Sequence, residues 1–162
     1  MGTYAVQLGN HFGASVTGVC GSRNVDLVKS LGANNVVDYT SQDFPRQLEK
    51  YDAILIAVDK WPFASSHPFL KPGGVYMNVT NPIKSFAMMT ASRKYKQRFV
   101  MGGNPPDSGA DLSYLSDLAE KGILQPVIDK MYTIEEIVEA HRYVEAGHKK
   151  GNVVITVAGP GV

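Results

Sequence analysis

Short β-branched runs alternate with amphipathic stretches along most of the chain. In the first part, this pattern predicts a helix over residues 3–12, because Ala5, Leu8 and Phe12 share one helical stripe and Gly13 follows as a stop. Strands are predicted over residues 15–20 and 35–39, together with a third over residues 53–58. The third strand is apolar at both its odd and its even positions, which is typical of a strand that is buried on both faces.

The same alternation continues through the rest of the sequence. A turn at Pro72-Gly73-Gly74 is predicted just before a strand over residues 75–80. A further strand is predicted over residues 98–101, and helices are predicted over residues 83–95 and 111–120. Thr133 and Glu136 match the Ser/Thr-x-x-Glu capping box, which predicts the start of another helix.

Strand and helix alternate from Ser15 to about Glu120, so each pair of strands needs a crossover connection. This order predicts an α/β fold of the Rossmann type, with a doubly wound, mainly parallel sheet and helices on both faces. Ligands bind such sheets outside the carboxyl ends of the strands. Functional residues are therefore expected in five strand-end segments, namely 20–24, 39, 58–60, 80–81 and 101–104.

Composition narrows the range of functions. The 162 residues, 44% hydrophobic and 19% charged, suit a globular domain of ordinary size. A net charge of +1 offers no electrostatic case for a nucleic-acid partner. The sequence shows neither an apolar run of membrane-spanning length nor a secretory signal. These features favour a cytoplasmic protein without a nucleic-acid or membrane partner.

The residues that bind metals or act as nucleophiles form no recognisable motif. Cys20 is the only cysteine, which excludes an internal disulfide and a multi-cysteine zinc site. The four histidines form neither a His-x-x-x-His pair nor an HExxH motif, so no metal site is predicted. Ser65-Ser66-His67 lacks the Gly-x-Ser-x-Gly elbow of hydrolases.

The end of the first predicted strand carries the most specific chemical signal. The segment from Val19 to Arg23 has no carboxylate to hold the ribose diol of NAD, whereas Ser22 offers a hydroxyl and Arg23 a permanent cation. A guanidinium pairs with phosphate through charge and parallel N–H donors, so this combination favours NADP(H). The phenol of Tyr39, at the end of the next predicted strand, is a further candidate donor to the same phosphate. The alternative is that Ser22 only caps a helix and Arg23 is solvated.

Several segments, in the same order, resemble the quinone-reductase type of medium-chain dehydrogenase/reductase. Gly2-Thr3-Tyr4-Ala5-Val6-Gln7-Leu8 resembles the helix after that family's glycine-rich loop, with Gly2 as the last glycine of the loop. Residues 16–38, with Ser22-Arg23 and Leu31-Gly32-Ala33, resemble its second strand, helix and third strand. Three later segments resemble its fourth strand, fifth strand and C-terminal signature, namely Tyr51-Asp52-Ala53-Ile54, Leu70-Lys71-Pro72-Gly73-Gly74 and residues 132–157 with Gly151-Asn152-Val153-Val154.

The resemblance implies a function as well as a fold. It implies that NADPH is the cofactor and that hydride passes from its nicotinamide to a quinone or an activated α,β-unsaturated carbonyl. Members of this family generally lack a catalytic zinc, and their catalytic residues are poorly defined, so none is assigned. The candidate cofactor-binding residues are Gly2, Ser22, Arg23, Tyr39, Val58, Asp59, Thr80, Met101 and Asn152.

The sequence also departs from the family pattern. The family's first strand and most of its glycine loop would precede Met1, and its N-terminal catalytic domain is not in this sequence. Asp59 stands where the family usually has glycine, and Asn152 where it usually has lysine. Asp59 would either crowd the nicotinamide ribose or form a hydrogen bond with it.

These departures predict a sheet that lacks its first strand, with the gap between the strands at 15–20 and 53–58. We expect the sheet to close differently or another chain to fill the gap, which favours a homo-oligomer and an inactive isolated chain. The predicted organisation is a truncated NADP-binding domain over residues 1–122, a segment over 123–157 that packs on the catalytic domain, and a flexible tail over 158–162.

Two other functions remain as alternatives. The first is a non-catalytic nucleotide-binding or interaction module, in which the fold is kept and turnover is lost. The second is a methyltransferase, which shares the parallel sheet. A methyltransferase would need an acidic residue near Cys20–Arg23 to hold the ribose of S-adenosylmethionine, and the sequence has none there.

Overall fold

The structure is a computed structural model that describes residues 1–58, 61–79, 96–101, 108–147 and 149–157. It divides into two compact units, one formed by Met1–Asp38 with Gly109–Val162 and the other by Tyr39–Ser108. The described strands lie in three sheets, and every described strand pair is parallel. The parallel pairing predicted from the alternation of strand and helix is therefore confirmed.

The first unit opens with a helix, α1, over Gly2–His11, followed by the strand β1 over Thr17–Cys20. A 3₁₀ turn over Ser22–Asn24 leads into the short helix α2 over Val25–Ser30, and the strand β2 follows over Asn35–Asp38. The stripe of apolar residues predicted α1 to within one residue at each end.

Close packing of α2 on β1 depends on a glycine. Strand β1 pairs with β2 in a register that runs from Thr17 opposite Asn35 to Cys20 opposite Asp38. Gly18 is buried in the middle of β1, and a Cβ atom there would lie 2.4 Å from Cγ1 of Val28 on α2. Glycine thus lets the helix approach the strand, with the carboxyl ends of β1 and β2 side by side.

The second unit is built on three parallel strands: β3 over Tyr51–Ile56, β4 over Leu70–Asn78 and β5 over Arg98–Met101, in the order β3-β4-β5. The short helix α3 spans Phe63–Ser66, and 3₁₀ turns span Phe44–Gln47 and His67–Phe69. The turn at Phe44–Gln47 lies before β3, and the turn at His67–Phe69 leads directly into β4.

The core of this second unit is aromatic and aliphatic. Ile56, Phe63, Leu70 and Tyr76 form a buried cluster, with Phe99 packed against it. The ring of Phe63 meets Tyr76 edge-on with 4.9 Å between centroids, and Tyr76 stacks on Phe99 at 5.5 Å. Edge-on and stacked arrangements suit the charge distribution of aromatic rings, so these contacts fix α3 against β4 and β5.

Two predictions about these strands need correction. Strand β4 begins at Leu70, so Pro72-Gly73-Gly74 lies inside it, where the pairing with β3 jumps from Tyr51–Leu70 to Ala53–Val75. Strand β3 is not buried on both faces, because Leu55 is 39% exposed. Among the described residues, β3 pairs with β4 alone, which leaves its other edge open.

The chain returns to the first unit with α4 over Gly109–Glu120 and β6 over Ile128–Thr133. The helix α5 over Ile137–Glu145 then leads to β7 over Asn152–Thr156, which pairs with β6 in parallel. The predicted capping box is confirmed, because the backbone N–H of Thr133 donates to Oε2 of Glu136 at 2.8 Å.

Some predictions lie outside the described residues, namely the helix over 83–95, the tail over 158–162, and the site residues Asp59 and Thr80. The missing first strand, the domain boundary after residue 122, the homo-oligomer and the cytoplasmic location all stay predictions. Of the helices in the described part of the chain, none is both long enough and apolar enough to cross a bilayer.

Candidate nucleotide-binding site

The site is built at the carboxyl end of β1. Cys20 is the last residue of this strand, and Gly21 continues in an extended conformation with φ −80° and ψ 156°. The chain then turns through Ser22–Asn24 into α2. Ser22 and Arg23 therefore follow the strand directly, at the edge of a parallel sheet where ligands bind.

The side chains of Ser22 and Arg23 are available to a ligand. Both residues are exposed, and Arg23 pairs with no carboxylate among the described residues. In this part of the chain, neither the 3₁₀ turn nor α2 begins with a side-chain capping hydrogen bond. The alternative role of Ser22 as a helix cap is therefore not observed, and a hydroxyl and a guanidinium stand next to each other at the strand end.

Asp38 lies beside the carboxyl end of β1, and the sequence did not point to it. It lies opposite Cys20 in the parallel register, and the pKa of the Cys20 thiol is raised by burial and then by the charge of Asp38. A carboxylate there repels a phosphate but accepts hydrogen bonds from ribose hydroxyls. Asp38 does not directly follow β1 in sequence, so the residues just after that strand do not indicate it. The strand-like run 35–39 marks the strand that carries Asp38, but the register of this strand beside β1 comes only from the structure.

A second group of predicted residues meets at the start of α1. Gly2 is the first residue of this helix and is exposed. Asn152 is the first residue of β7, and its Nδ2 donates to the hydroxyl oxygen of Tyr4 at 2.7 Å and to the carbonyl oxygen of Val127 at 3.2 Å. The structure thus connects Asn152 to the first turn of α1 through Tyr4.

The remaining predicted residues belong to the second unit. Tyr39 is its first residue and is 53% exposed, and Val58 lies two residues beyond the end of β3 and is 62% exposed. Met101 is the last residue of β5. Their roles toward a cofactor stay predictions, as do those of the other candidate residues.

Several solved structures share the fold of this chain. The quinone oxidoreductase from Coxiella burnetii matches 96% of this chain and 49% of its own, at 25% identity and a TM-score of 0.84. An NAD-dependent alcohol dehydrogenase matches with a TM-score of 0.81 at 22% identity, over 96% of this chain and 48% of its own. CurA from Vibrio vulnificus, solved with NADPH, matches with a TM-score of 0.77 at 17% identity, over 98% and 54%. The chain has the Rossmann-type nucleotide-binding fold of these proteins.

Sequence comparison gives the family. A family model described as zinc-binding dehydrogenase matches residues 31–155, and the chain belongs to this family. The chloroplast quinone-oxidoreductase QR1 of Triphysaria versicolor is 32% identical over 96% of this chain and 49% of its own length. The mitochondrial NAD(P)H oxidoreductase RTN4IP1 of Danio rerio is 29% identical over 97% and 46%. The resemblance inferred from the sequence is confirmed, and the chain spans about half the length of these curated relatives.

The family description raises the question of zinc. Within the described ranges, no group of three or more His, Cys, Asp or Glu side chains is placed to hold a metal ion. The described His, Cys, Asp and Glu residues therefore do not fit a zinc site, and we assign no chemical step to a metal.

Proposed function

We propose that this chain forms the nucleotide-binding part of an oxidoreductase that transfers hydride from NADPH to a quinone or an activated α,β-unsaturated carbonyl. The observation that carries the proposal is the pair Ser22 and Arg23, exposed at the carboxyl end of β1 with no carboxylate paired to the guanidinium among the described residues. The names of the relatives support the reaction class, because they include quinone oxidoreductases and NAD(P)H oxidoreductases.

The preference for NADPH follows from the chemistry of Ser22 and Arg23. NADPH differs from NADH by the phosphate on the adenosine ribose, and an arginine pairs with phosphate by charge and by parallel N–H donors. The Ser22 hydroxyl adds a neutral donor beside it, and Tyr39 is the third proposed donor. The nearby Asp38 carboxylate opposes this preference, so the proposal requires that Arg23 outweighs it.

The other proposed residues contact different parts of the cofactor. Gly2 stands at the exposed start of α1, and the backbone N–H groups at a helix N-terminus suit a pyrophosphate. Val58, Asp59, Thr80 and Met101 are proposed for the nicotinamide half, since they lie at or near the ends of predicted strands. When bound, the nicotinamide supplies the hydride, and the protein orients it toward the acceptor.

The proposal is tested on the complete gene product by two measurements. Calorimetric titration with NADPH, NADH and S-adenosylmethionine gives the ligand preference. The loss of reduced-nicotinamide absorbance with p-benzoquinone or cyclohex-2-enone gives the activity. We expect NADPH to bind most tightly and at least one acceptor to be reduced.

Each other outcome identifies an alternative. Tight NADPH binding without turnover of any quinone or enone would favour the non-catalytic nucleotide-binding module. Preferential binding of S-adenosylmethionine would favour a methyltransferase. The absence of binding by either nicotinamide nucleotide would contradict the proposal.

A further inference from the structure

The first turn of α1 has little local support. Its N-cap residue, Met1, makes no side-chain capping hydrogen bond, and its first turn contains no acidic residue. Capping side chains and acidic residues are the usual means by which a sequence stabilises a helix N-terminus. Contacts with distant parts of the same unit also hold this turn.

One such contact is made by the hydroxyl group of Tyr4. The backbone N–H of Tyr4 donates to the carbonyl oxygen of Met1 at 3.1 Å, which places Tyr4 in the same turn as Gly2. Its hydroxyl oxygen, in turn, accepts a hydrogen bond of 2.7 Å from Nδ2 of Asn152. This contact joins residues 148 positions apart in sequence and ties the first turn to the start of β7.

Asn152 is itself held in place by hydrogen bonds to Val127, the residue just before β6. Its backbone N–H donates to the carbonyl oxygen of Val127 at 2.7 Å, and its Nδ2 donates to the same oxygen at 3.2 Å. Gly151 permits this approach, because a Cβ atom at that position would lie 2.3 Å from the Val127 oxygen. These contacts orient the amide of Asn152 toward Tyr4.

The hydrogen-bonding capacity of Asn152 argues against direct contact with a phosphate. A side-chain amide has two N–H donors, and here one is directed to Tyr4 and the other to Val127. The remaining polar atom, Oδ1, is an acceptor and would repel phosphate oxygens. A direct contact with the cofactor phosphates would therefore require these two bonds to break.

A second attachment lies one turn further along α1. Gln7 is only 6% exposed, and its Nε2 donates to the carbonyl oxygen of Gln125 at 3.0 Å. Its Oε1 accepts from the backbone N–H of Gln125 at 2.7 Å. The first two turns of α1 are thus fixed at two points to the segment 125–152.

We propose that Asn152 is a positioning residue for the nucleotide, acting through the Tyr4 hydroxyl to fix the first turn of α1 at the pyrophosphate. This inference rests on the proposed function, and it replaces the direct cofactor contact expected from the sequence. It makes the start of β7 a determinant of cofactor affinity, although the Asn152 side chain does not touch the cofactor.

The test is a double-mutant cycle in the complete gene product with Tyr4→Phe, Asn152→Ala and the double variant. Both single changes remove the Tyr4–Asn152 hydrogen bond, and Asn152→Ala also removes the bond from Nδ2 to Val127. Because the bond to Tyr4 is the one that reaches α1, we expect each change to raise the Kd for NADPH by about fivefold. The double variant should show nearly the same increase, because the two residues act as one unit. Calorimetry gives the Kd values, and thermal unfolding shows whether each variant folds.

Tyr143→Phe is the matched control. Its hydroxyl donates to Asp129 at 2.7 Å in the same unit, and within the described ranges no hydrogen bond joins it to α1, so its loss should leave the Kd for NADPH unchanged. Weaker binding in Asn152→Ala but not in Tyr4→Phe would overturn the proposal in favour of direct contact. Lower unfolding temperatures with unchanged Kd values would also overturn it. A parent protein that binds no NADPH would instead overturn the proposed function, and this inference with it.

Discussion

Gly151 is the residue whose lack of a side chain has the clearest structural consequence. A Cβ atom at this position would lie 2.3 Å from the carbonyl oxygen of Val127 and 2.8 Å from its Cγ1. Because the carbonyl oxygen belongs to the backbone, Gly151→Ala must displace Val127, just before β6, or the start of β7. We expect a loss of about 1–3 kcal/mol in the free energy of unfolding, measured by urea denaturation.

Gly109→Ala provides the control for this substitution. Gly109 begins α4, and a Cβ atom there would have no heavy atom within 4 Å. Alanine is the better helix former, so this change should leave the stability unchanged or raise it slightly. Equal stabilities of the two variants would contradict the proposed close approach of Gly151.

Asp129 gives a prediction about pH. The backbone N–H of Lys150 and then the hydroxyl of Tyr143, at 2.9 and 2.7 Å, hold the pKa of this carboxyl below its usual range. A lowered pKa contributes stability above the unfolded pKa, near pH 4, and this contribution is lost as the pH falls through the folded pKa. Asp129→Asn should therefore be less stable than the parent at pH 7, with the difference narrowing toward pH 3.

Urea denaturation of both proteins at the two pH values measures this difference. Its size will be modest, because solvent screens a carboxylate that is only partly buried. A difference that stays the same at pH 3 and pH 7 would show that the carboxylate is not the source of the stabilisation.

At the scale of elements, Gln7 joins α1 to the segment before β6. Replacing it by leucine removes both hydrogen bonds to the backbone of Gln125 and leaves a backbone N–H and C=O without those partners. Such a loss costs about 1–3 kcal/mol. We therefore expect Gln7→Leu to lower the free energy of unfolding by this amount.

Gln47→Leu is the matched control, because Gln47 is exposed at the end of a 3₁₀ turn. It makes the same chemical change without removing a buried hydrogen bond, so stability should stay within about 0.5 kcal/mol of the parent. If the two leucine variants are equally stable, the attachment of α1 through Gln7 is unimportant.

Features that depend on neighbouring residues could be predicted from the sequence. Thr133 and Glu136 are three residues apart, and their capping box formed as expected. Gly18 lies in the strand predicted over residues 15–20, and Val28 lies in the segment that resembles the helix after the family's second strand. An irregularity at Pro72-Gly73-Gly74 could also be predicted. The predicted turn before the strand is wrong, however, because pairing with β3 continues on both sides of these residues.

Features that depend on pairing between distant segments could not be predicted. Asp38 reaches the site because β2 lies beside β1 in a particular register, and sequence order alone does not give that register. The bond from Asn152 to Tyr4 spans 148 positions, so nothing near Asn152 indicates it. The family resemblance supplied the candidate site, whereas the hydrogen-bond partners required the structure.

At the scale of the whole molecule, large apolar side chains remain uncovered in both units. Leu55 is 39% exposed, Met131 64% and Val138 56%. Exposed apolar surface favours association, so we expect the 162-residue chain expressed by itself to self-associate. Sedimentation velocity over a range of concentrations measures this, and a monodisperse monomer throughout would contradict it.

We propose that Arg23 selects NADPH by its extra phosphate, and calorimetric titration of Arg23→Gln in the complete gene product tests this selection. Arg46→Gln is the control, since Arg46 is a similarly exposed cation that lies 3.6 Å from Asp43. We expect Arg23→Gln to weaken NADPH binding about tenfold without changing NADH binding, and Arg46→Gln to leave the binding of both nucleotides unchanged. Equal weakening of both nucleotides, or unchanged NADPH binding, would contradict it.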